Sequence, residues 1–137
     1  GKGILMWISG KYVPLKFSQV FRSGLIWTPF GIGLSACKRL QAHSTVCEHT
    51  LKEKAPNGFA YIWVVGVHPN YTGCGLGKQM IQSALEKMRN QGHSTCLVIT
   101  ENSKNVGFYE HIGFELIHTE TPDVSKIPYW LMSRELV

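Results

Sequence analysis

The chain has 137 residues, of which 44% are hydrophobic and 17% are charged, and this size and composition are typical of one folded domain. The uncharged run of residues 23–36 is interrupted by a proline and glycines and is shorter than the ~20 apolar residues of a membrane-spanning helix, so we predict no membrane segment. The formal net charge of +5 arises in residues 1–58 without any nucleic-acid-binding motif, which argues against a nucleic-acid partner. No secretory signal opens the chain, and we predict a cytoplasmic protein.

The first part of the chain is predicted to be basic and mostly helical. Residues 4–9 form a short apolar run that predicts a strand, and residues 12–15 are a second candidate strand, interrupted by a proline. From 17 to 54 the pattern is helical in two or three pieces, broken around residues 27–33 by proline and glycines. This part is expected to end at a Pro-Asn-Gly turn.

The cysteines and histidines of this helical region raise the question of a metal site. The four cysteines of the chain have no CxxC spacing, and we expect free thiols. His43, Cys47 and His49 could share a helix face, but a fourth ligand is missing and the spacing matches no zinc pattern. We therefore predict a polar helix surface and no metal.

The second part of the chain alternates strands and helices. Residues 59–67 (FAYIWVVGV) predict an interior strand buried on both faces. Gly66 within it indicates a bulge or the close approach of a backbone or ligand. Residues 75–91 switch to the helical period, with an apolar face formed by Leu76, Met80, Ile81, Ala84, Leu85 and Met88. A short helix near 104–112 and strands near 96–100, 114–119 and 129–134 complete an α/β fold with a mixed sheet.

A glycine-rich loop joins the interior strand to the amphipathic helix. Alternating glycines let successive N–H groups converge, and the helix adds its positive amino-terminal end. This arrangement predicts a phosphate or pyrophosphate site, with a merely tight turn as the alternative explanation. The residues of the predicted site are Thr72, Gly73, Cys74, Gly75, Leu76, Gly77 and Lys78.

The spacing of this loop excludes two common nucleotide-binding motifs. A Walker loop needs four residues before its Gly-Lys pair and then Ser or Thr, whereas three residues separate Gly73 from Gly77 and Lys78 is followed by Gln79. A dinucleotide fingerprint needs a third glycine where this chain has Lys78. Neither an ATP loop nor a dinucleotide loop is therefore predicted.

Two blocks of sequence resemble a known family. Residues 65–77 (VGVHPNYTGCGLG) resemble the acyl-CoA-binding motif of the GNAT acetyltransferases, an apolar strand and a proline followed by (Gln/Arg)-x-x-Gly-x-(Gly/Ala), with Thr72 in the Gln/Arg position. Asn102, Asn105 and residues 106–114 (VGFYEHIGF) are similar to the helix and strand that carry the family's tyrosine. The resemblance covers residues 59 to the end.

The resemblance implies a GNAT-like, twisted mixed sheet, splayed between the strand ending at Val67 and the strand beginning near Cys96. It implies acetyl-CoA as co-substrate without a metal, with pantetheine bonded to the backbone of Val65, Gly66 and Val67 and with contacts from Asn102 and Asn105. The whole chain would be one N-acetyltransferase domain, with 59–137 binding acetyl-CoA and 1–58 on the substrate side. The family usually has further elements before these, so Gly1 resembles an entry into a domain that is amino-terminally truncated or completed by a second protomer in a homodimer.

The chemistry implied is transfer of an acetyl group to a small-molecule or protein amine. By resemblance Tyr109 is the proton donor to the departing thiolate and a backbone N–H near Val67 supports the oxyanion. The central strand lacks the carboxylate of many relatives, so we predict His68 as the base because its ordinary pKa is near neutrality. Glu101 and His111 are the fallback bases.

Two other functions fit parts of the sequence. A CoA-binding module without turnover would explain Thr72 and the missing carboxylate. A basic nucleic-acid or protein interaction domain would explain the charge of residues 1–58, and it predicts indifference to acetyl-CoA.

Overall fold

The computed structural model describes residues 1–12 and 33–136, and it confirms a mixed α/β fold. Among these residues one α-helix lies between the first and second strands, and two more alternate with the strands that follow. The strands are β1 (Gly3–Ser9), β2 (Phe59–Val67), β3 (Thr95–Thr100), β4 (Glu115–Glu120) and β5 (Tyr129–Glu135), and the helices are α1 (Leu34–Lys54), α2 (Leu76–Asn90) and α3 (Ser103–His111). The predicted bounds of the elements after residue 58 differ from these by at most one residue at either end.

The five strands form one mixed sheet in the order β1-β2-β3-β5-β4. β2 and β3 are parallel, because α2 returns the chain between them, and the other three pairs are antiparallel. The predicted interior position of β2 is therefore confirmed.

The sheet is splayed between β2 and β3. The two strands pair only from Phe59 opposite Thr95 to Ile62 opposite Val98, although β2 continues for five residues to Val67. The last part of β2 pairs with β1 on one side and has no described strand on the other. Backbone groups that point to this open side need another partner or water.

A bulge in β2 lies where the splay begins. Met6 of β1 is opposite Val64 and Trp7 is opposite Ile62, so Trp63 is the extra residue. The bulge is not at Gly66, which pairs regularly with Ile4. That part of the expectation for Gly66 was wrong, because the register shift depends on β1 and not on the local sequence.

Two apolar clusters hold the helices on opposite faces of the sheet. On one face, residues of α2 and α3 pack on the strands, including all but two of the predicted apolar positions of α2. On the other face Leu51 of α1 packs against Leu97 and Leu131. Trp63 is 41% exposed, so β2 is not buried on both faces along its whole length as predicted.

The predictions for the first part of the chain are confirmed only in part. The strand at 4–9 and the helix ending at residue 54 are present, and the partner of β1 is β2. Gly10–Tyr12 forms a 3-10 turn, and residues 13–15 and the helical pieces before residue 33 lie outside the described residues. None of the described helices is long and apolar enough to cross a membrane, and the cellular compartment stays a prediction.

Candidate functional site

The glycine-rich loop opens towards solvent. Gly73 and Gly75 have φ values of 79° and 82°, a left-handed conformation that side chains other than glycine adopt at a cost. A Cβ added to either residue would meet no atom within 4 Å. The space over both residues is therefore free for a ligand to approach the backbone.

The amides of this loop are not consumed by the fold. The first backbone bond recorded for α2 runs from the Gln79 N–H to the Gly75 carbonyl at 3.0 Å. Within the part of the chain that the structure describes, no bond is recorded from the amides of residues 73–78 to a group outside α2. These donors lie at the positive end of the helix dipole, which favours an anion site over a turn that is merely tight.

The side chains of Thr72 and Cys74 point back into the preceding turn. Thr72 Oγ1 donates to the Pro69 carbonyl at 2.9 Å, and Cys74 Sγ donates to the Tyr71 carbonyl at 2.7 Å. Lys78 is exposed in the first turn of α2, and its ammonium group is the positive charge of the loop. The donors available to an anion are therefore backbone N–H groups together with one lysine.

The start of α2 lies against the ends of β2 and α3. A Cβ on Gly77 would be 3.5 Å from Phe108 Cζ and 3.6 Å from Val67 Cγ2, which is ordinary contact distance. Leu76 is half-buried at the same place. The loop, the open edge of β2 at residues 65–67 and the helix that carries Tyr109 are thus neighbours.

Tyr109 is a buried tyrosine beside this junction. It is 6% exposed and its ring packs edge-on to Phe108 and Phe114 at centroid distances of 5.3 and 5.5 Å. Burial, with a smaller contribution from Cys96, raises the pKa of the phenol above its ordinary value. Among the described residues no hydrogen bond of the phenol is recorded, so a neutral O–H is available as a donor.

His68 lies exposed at the end of β2, where it caps the 3-10 turn Pro69–Tyr71. Its Nδ1 accepts a hydrogen bond from the Asn70 N–H at 3.2 Å. A neutral imidazole has one basic nitrogen, and this bond uses it. The base role predicted for His68 therefore requires that the bond to Asn70 open.

Asn102 and Asn105 both stabilise the junction of β3 and α3. Asn102 Oδ1 accepts from the Lys104 N–H at 3.0 Å and caps α3, and Asn105 Nδ2 donates to Thr100 Oγ1 at 3.2 Å. Cofactor contacts from these two asparagines stay a prediction.

The opposite face of the sheet holds a polar cluster that the sequence analysis described wrongly. His43 and Cys47 are not a helix surface: they are 5% and 7% exposed. His49, in contrast, is exposed and pairs with Glu53 at 3.8 Å. Glu101, which follows β3, lies beside His43 and Cys47 instead of the predicted His49.

This cluster lines a cavity of about 210 Å³ between α1, β2 and β3. Trp63 and Ile99 in its wall come directly after the last paired residues of β2 and β3, so the cavity reaches the splay. Burial first, and then the carboxylates of Glu101, Glu120 and Glu48, raise the pKa of Cys47 to about 12. The same carboxylates make the cavity attractive to a cation.

The described residues thus combine a mixed sheet that splays after Ile62 with a row of amides, open to solvent, at the start of α2. The chain belongs to the acetyltransferase (GNAT) family, whose model matches residues 34–114.

Individual relatives agree with this assignment. An uncharacterised N-acetyltransferase, ycf52, of Pyropia yezoensis is 37% identical over 75 residues, which are 54% of this chain and 40% of the relative. The IAA acetyltransferase of Bacillus cereus has the same fold, with a TM-score of 0.54, 21% identity and coverage of 60% of this chain and 65% of that chain. The crystal structure of the NatC complex bound to Gag peptide and CoA also contains this fold, with a TM-score of 0.52 and 23% identity. The match covers 58% of this chain and 52% of that chain. The chain spans less than half the length of the first curated relative.

Proposed function

We propose that this chain transfers an acetyl group from acetyl-CoA to a primary amine by direct attack of the amine on the thioester. The observation that carries the proposal is the set of amides of residues 73–78, free of described partners outside α2 and adjacent to the open edge of β2. The diphosphate of CoA would accept from these amides and face Lys78. The pantetheine amides would then pair with the backbone of residues 65–67 in the splay.

A CoA ester suits this site better than other nucleotides because it needs both a pyrophosphate site and a narrow apolar channel. The splay supplies the channel, since β2 and β3 part after Ile62 and Val98. CoA in the structure of the NatC complex supports use of the cofactor by this fold. Thr72 bonds within its own turn and would contribute little to phosphate binding.

The reaction would proceed in one displacement. The neutral amine nitrogen attacks the carbonyl carbon of the thioester, the carbon–sulfur bond breaks, and the departing thiolate takes a proton from the Tyr109 phenol. The nitrogen loses a proton to His68, once the bond of His68 to Asn70 has opened. A backbone N–H near Val67 donates to the oxyanion during the displacement.

The cavity on the α1 side is the proposed acceptor site. It reaches the splay beside Trp63 and is lined by Glu48 and Glu101, which would attract an ammonium group. The aromatic wall formed by Tyr61 and Trp63 adds a surface on which a cation can stack. Residues 34–54 supply one side of this cavity, in agreement with a substrate-side role for the first part of the chain.

The proposal is tested by measuring release of the CoA thiol from acetyl-CoA. The protein is given amino acids, diamines, an aminoglycoside and peptides with free amino termini. We expect thiol release that depends on at least one amine, with the N-acetylated form of the same acceptor as the inactive control. Binding of acetyl-CoA without release of the CoA thiol for any amine would instead support a CoA-binding module without turnover. Thr72 in the Gln/Arg position of the motif favours that alternative.

A further inference from the structure

His43 and Cys47 have no role in the proposed transfer of the acetyl group, and they lie beside Glu101, which lines the proposed acceptor cavity. One ligand atom from each residue lies within 4.8 Å of the other two. Cys47 Sγ is 3.5 Å from His43 Nε2, and His43 Nε2 is 3.6 Å from Glu101 Oε1. The group combines a soft sulfur, an imidazole nitrogen and a carboxylate oxygen, the three ligand types that zinc accepts.

These separations are close to those of a tetrahedral zinc site. Metal–ligand distances of about 2.0–2.3 Å and tetrahedral angles place neighbouring ligand atoms roughly 3.3–3.6 Å apart. Two of the three separations in the cluster are within a few tenths of an ångström of this range. The third separation requires a small movement of Glu101, whose side chain is half-exposed.

The local structure also orients the ligands. His43 and Cys47 are four residues apart on α1, the spacing that brings two side chains to one helix face. His43 Nδ1 lies 2.9 Å from Oγ of the buried Ser125. In the tautomer that leaves Nε2 free for a metal, Nδ1–H donates to this hydroxyl, an outer contact that metal-binding histidines usually have.

The charge of the surroundings favours a cation. Glu48 lines the same cavity as Glu101, so two carboxylates face it. Zinc binds cysteine as the thiolate, and the charge of the ion is the largest in such a site. The cavity beyond the three ligands leaves room for a fourth one.

We propose that His43, Cys47 and Glu101 bind one divalent cation of the zinc class, with its fourth position open to the cavity. The sequence alone does not predict this site, because His49 is the nearer candidate in the chain and Glu101 joins the group only after folding. Since Glu101 also faces the proposed acceptor cavity, binding is measured without substrates, so that failure of the proposed transfer does not affect this test.

The experiment is a titration of the untagged, chelator-treated chain with Co²⁺ or Zn²⁺. We expect one ion per chain, and for Co²⁺ a thiolate-to-metal charge-transfer band with the intense visible bands of four-coordinate cobalt. Cys47→Ser should abolish the charge-transfer band, and His43→Gln and Glu101→Gln should weaken binding by about 100-fold or more, beyond the loss typical of outer contacts. Ser125→Ala should weaken it by about tenfold.

Two control variants test whether a histidine or a cysteine outside the cluster binds the ion. His49→Gln changes a histidine of the same helix that is 81% exposed, and Cys74→Ser removes an exposed thiol. Both should bind Co²⁺ as the unmodified chain does. Glu101→Gln alters a half-exposed side chain and should keep the fold, as checked by its thermal transition.

Three results would overturn the proposal. The first is the absence of stoichiometric binding, and the second is binding that survives both Cys47→Ser and Glu101→Gln. The third is binding lost in Cys74→Ser or His49→Gln, because it would place the ion elsewhere on the chain.

Discussion

Gly75→Val should lower the affinity for acetyl-CoA by about 100-fold or more. Gly75 has a φ of 82° and its missing Cβ faces open space in the row of free amides. A valine there would place two methyl groups where the diphosphate must approach, and it would strain the left-handed backbone by about 1–2 kcal/mol. The measurement is the dissociation constant for acetyl-CoA by calorimetry.

The matched control for this variant is Gly92→Val. Gly92 follows the carboxyl end of α2, has a φ of 88°, and also faces open space. A valine at Gly92 would have the same conformational strain, but it would lie at the carboxyl end of α2, where no amides are free to bind an anion. We expect similar losses of stability from both variants but a loss of affinity only at Gly75. Equal affinities for the two variants would show that the loop is not the cofactor site.

Tyr109→Phe should lower kcat by about 100-fold or more while changing the affinity for acetyl-CoA by less than about threefold. The change removes only the proton donor, and general acid catalysis typically contributes at least this much. Steady-state rates and calorimetry on the same preparations separate the two effects.

The pH dependence of kcat is a second test of Tyr109 as the proton donor. Burial raises the pKa of this phenol, so the donor stays protonated to a higher pH than an ordinary tyrosine. Since the protonated form is the active one, kcat should fall as pH rises through that raised pKa, and Tyr109→Phe should lack this fall. An unchanged rate in the variant would exclude Tyr109 from the mechanism.

Tyr129→Phe is the control for loss of a buried phenol. The Tyr129 hydroxyl lies 2.8 Å from Thr50 Oγ1, so its removal should cost about 1 kcal/mol of stability. No such bond is recorded for Tyr109 among the described residues. We therefore expect Tyr129→Phe to lower the temperature of the thermal transition with turnover retained. Tyr109→Phe should lower turnover and leave the temperature of the transition unchanged.

The elements that the sequence predicted well are those that local patterns define. β2 is a run of aromatic and β-branched residues, α2 has a regular apolar face, and the loop between them owes its conformation to Gly73 and Gly75. Each of these signals lies within a few residues of the feature that it predicts. The loop geometry could therefore be anticipated without knowledge of the sheet.

The features that could not be predicted depend on residues far apart in the chain. The bulge at Trp63 arises from the register with β1, and the buried His43 is hydrogen-bonded to Ser125, 82 residues later. The bond of Asn70 to His68 forms only once the chain turns at Pro69. The spacing of His43 and Cys47 was visible in the sequence, but only the fold brings Glu101 beside them.

The central claim is that the amides of residues 73–78 bind the diphosphate of a CoA ester, and calorimetric titration with acetyl-CoA, ATP and NAD side by side tests it most directly. The account predicts one acetyl-CoA per chain, bound at least about tenfold more tightly than ATP or NAD, because only acetyl-CoA also fills the splay beside Val67. No detectable binding of acetyl-CoA, or equal affinity for all three compounds, would contradict it.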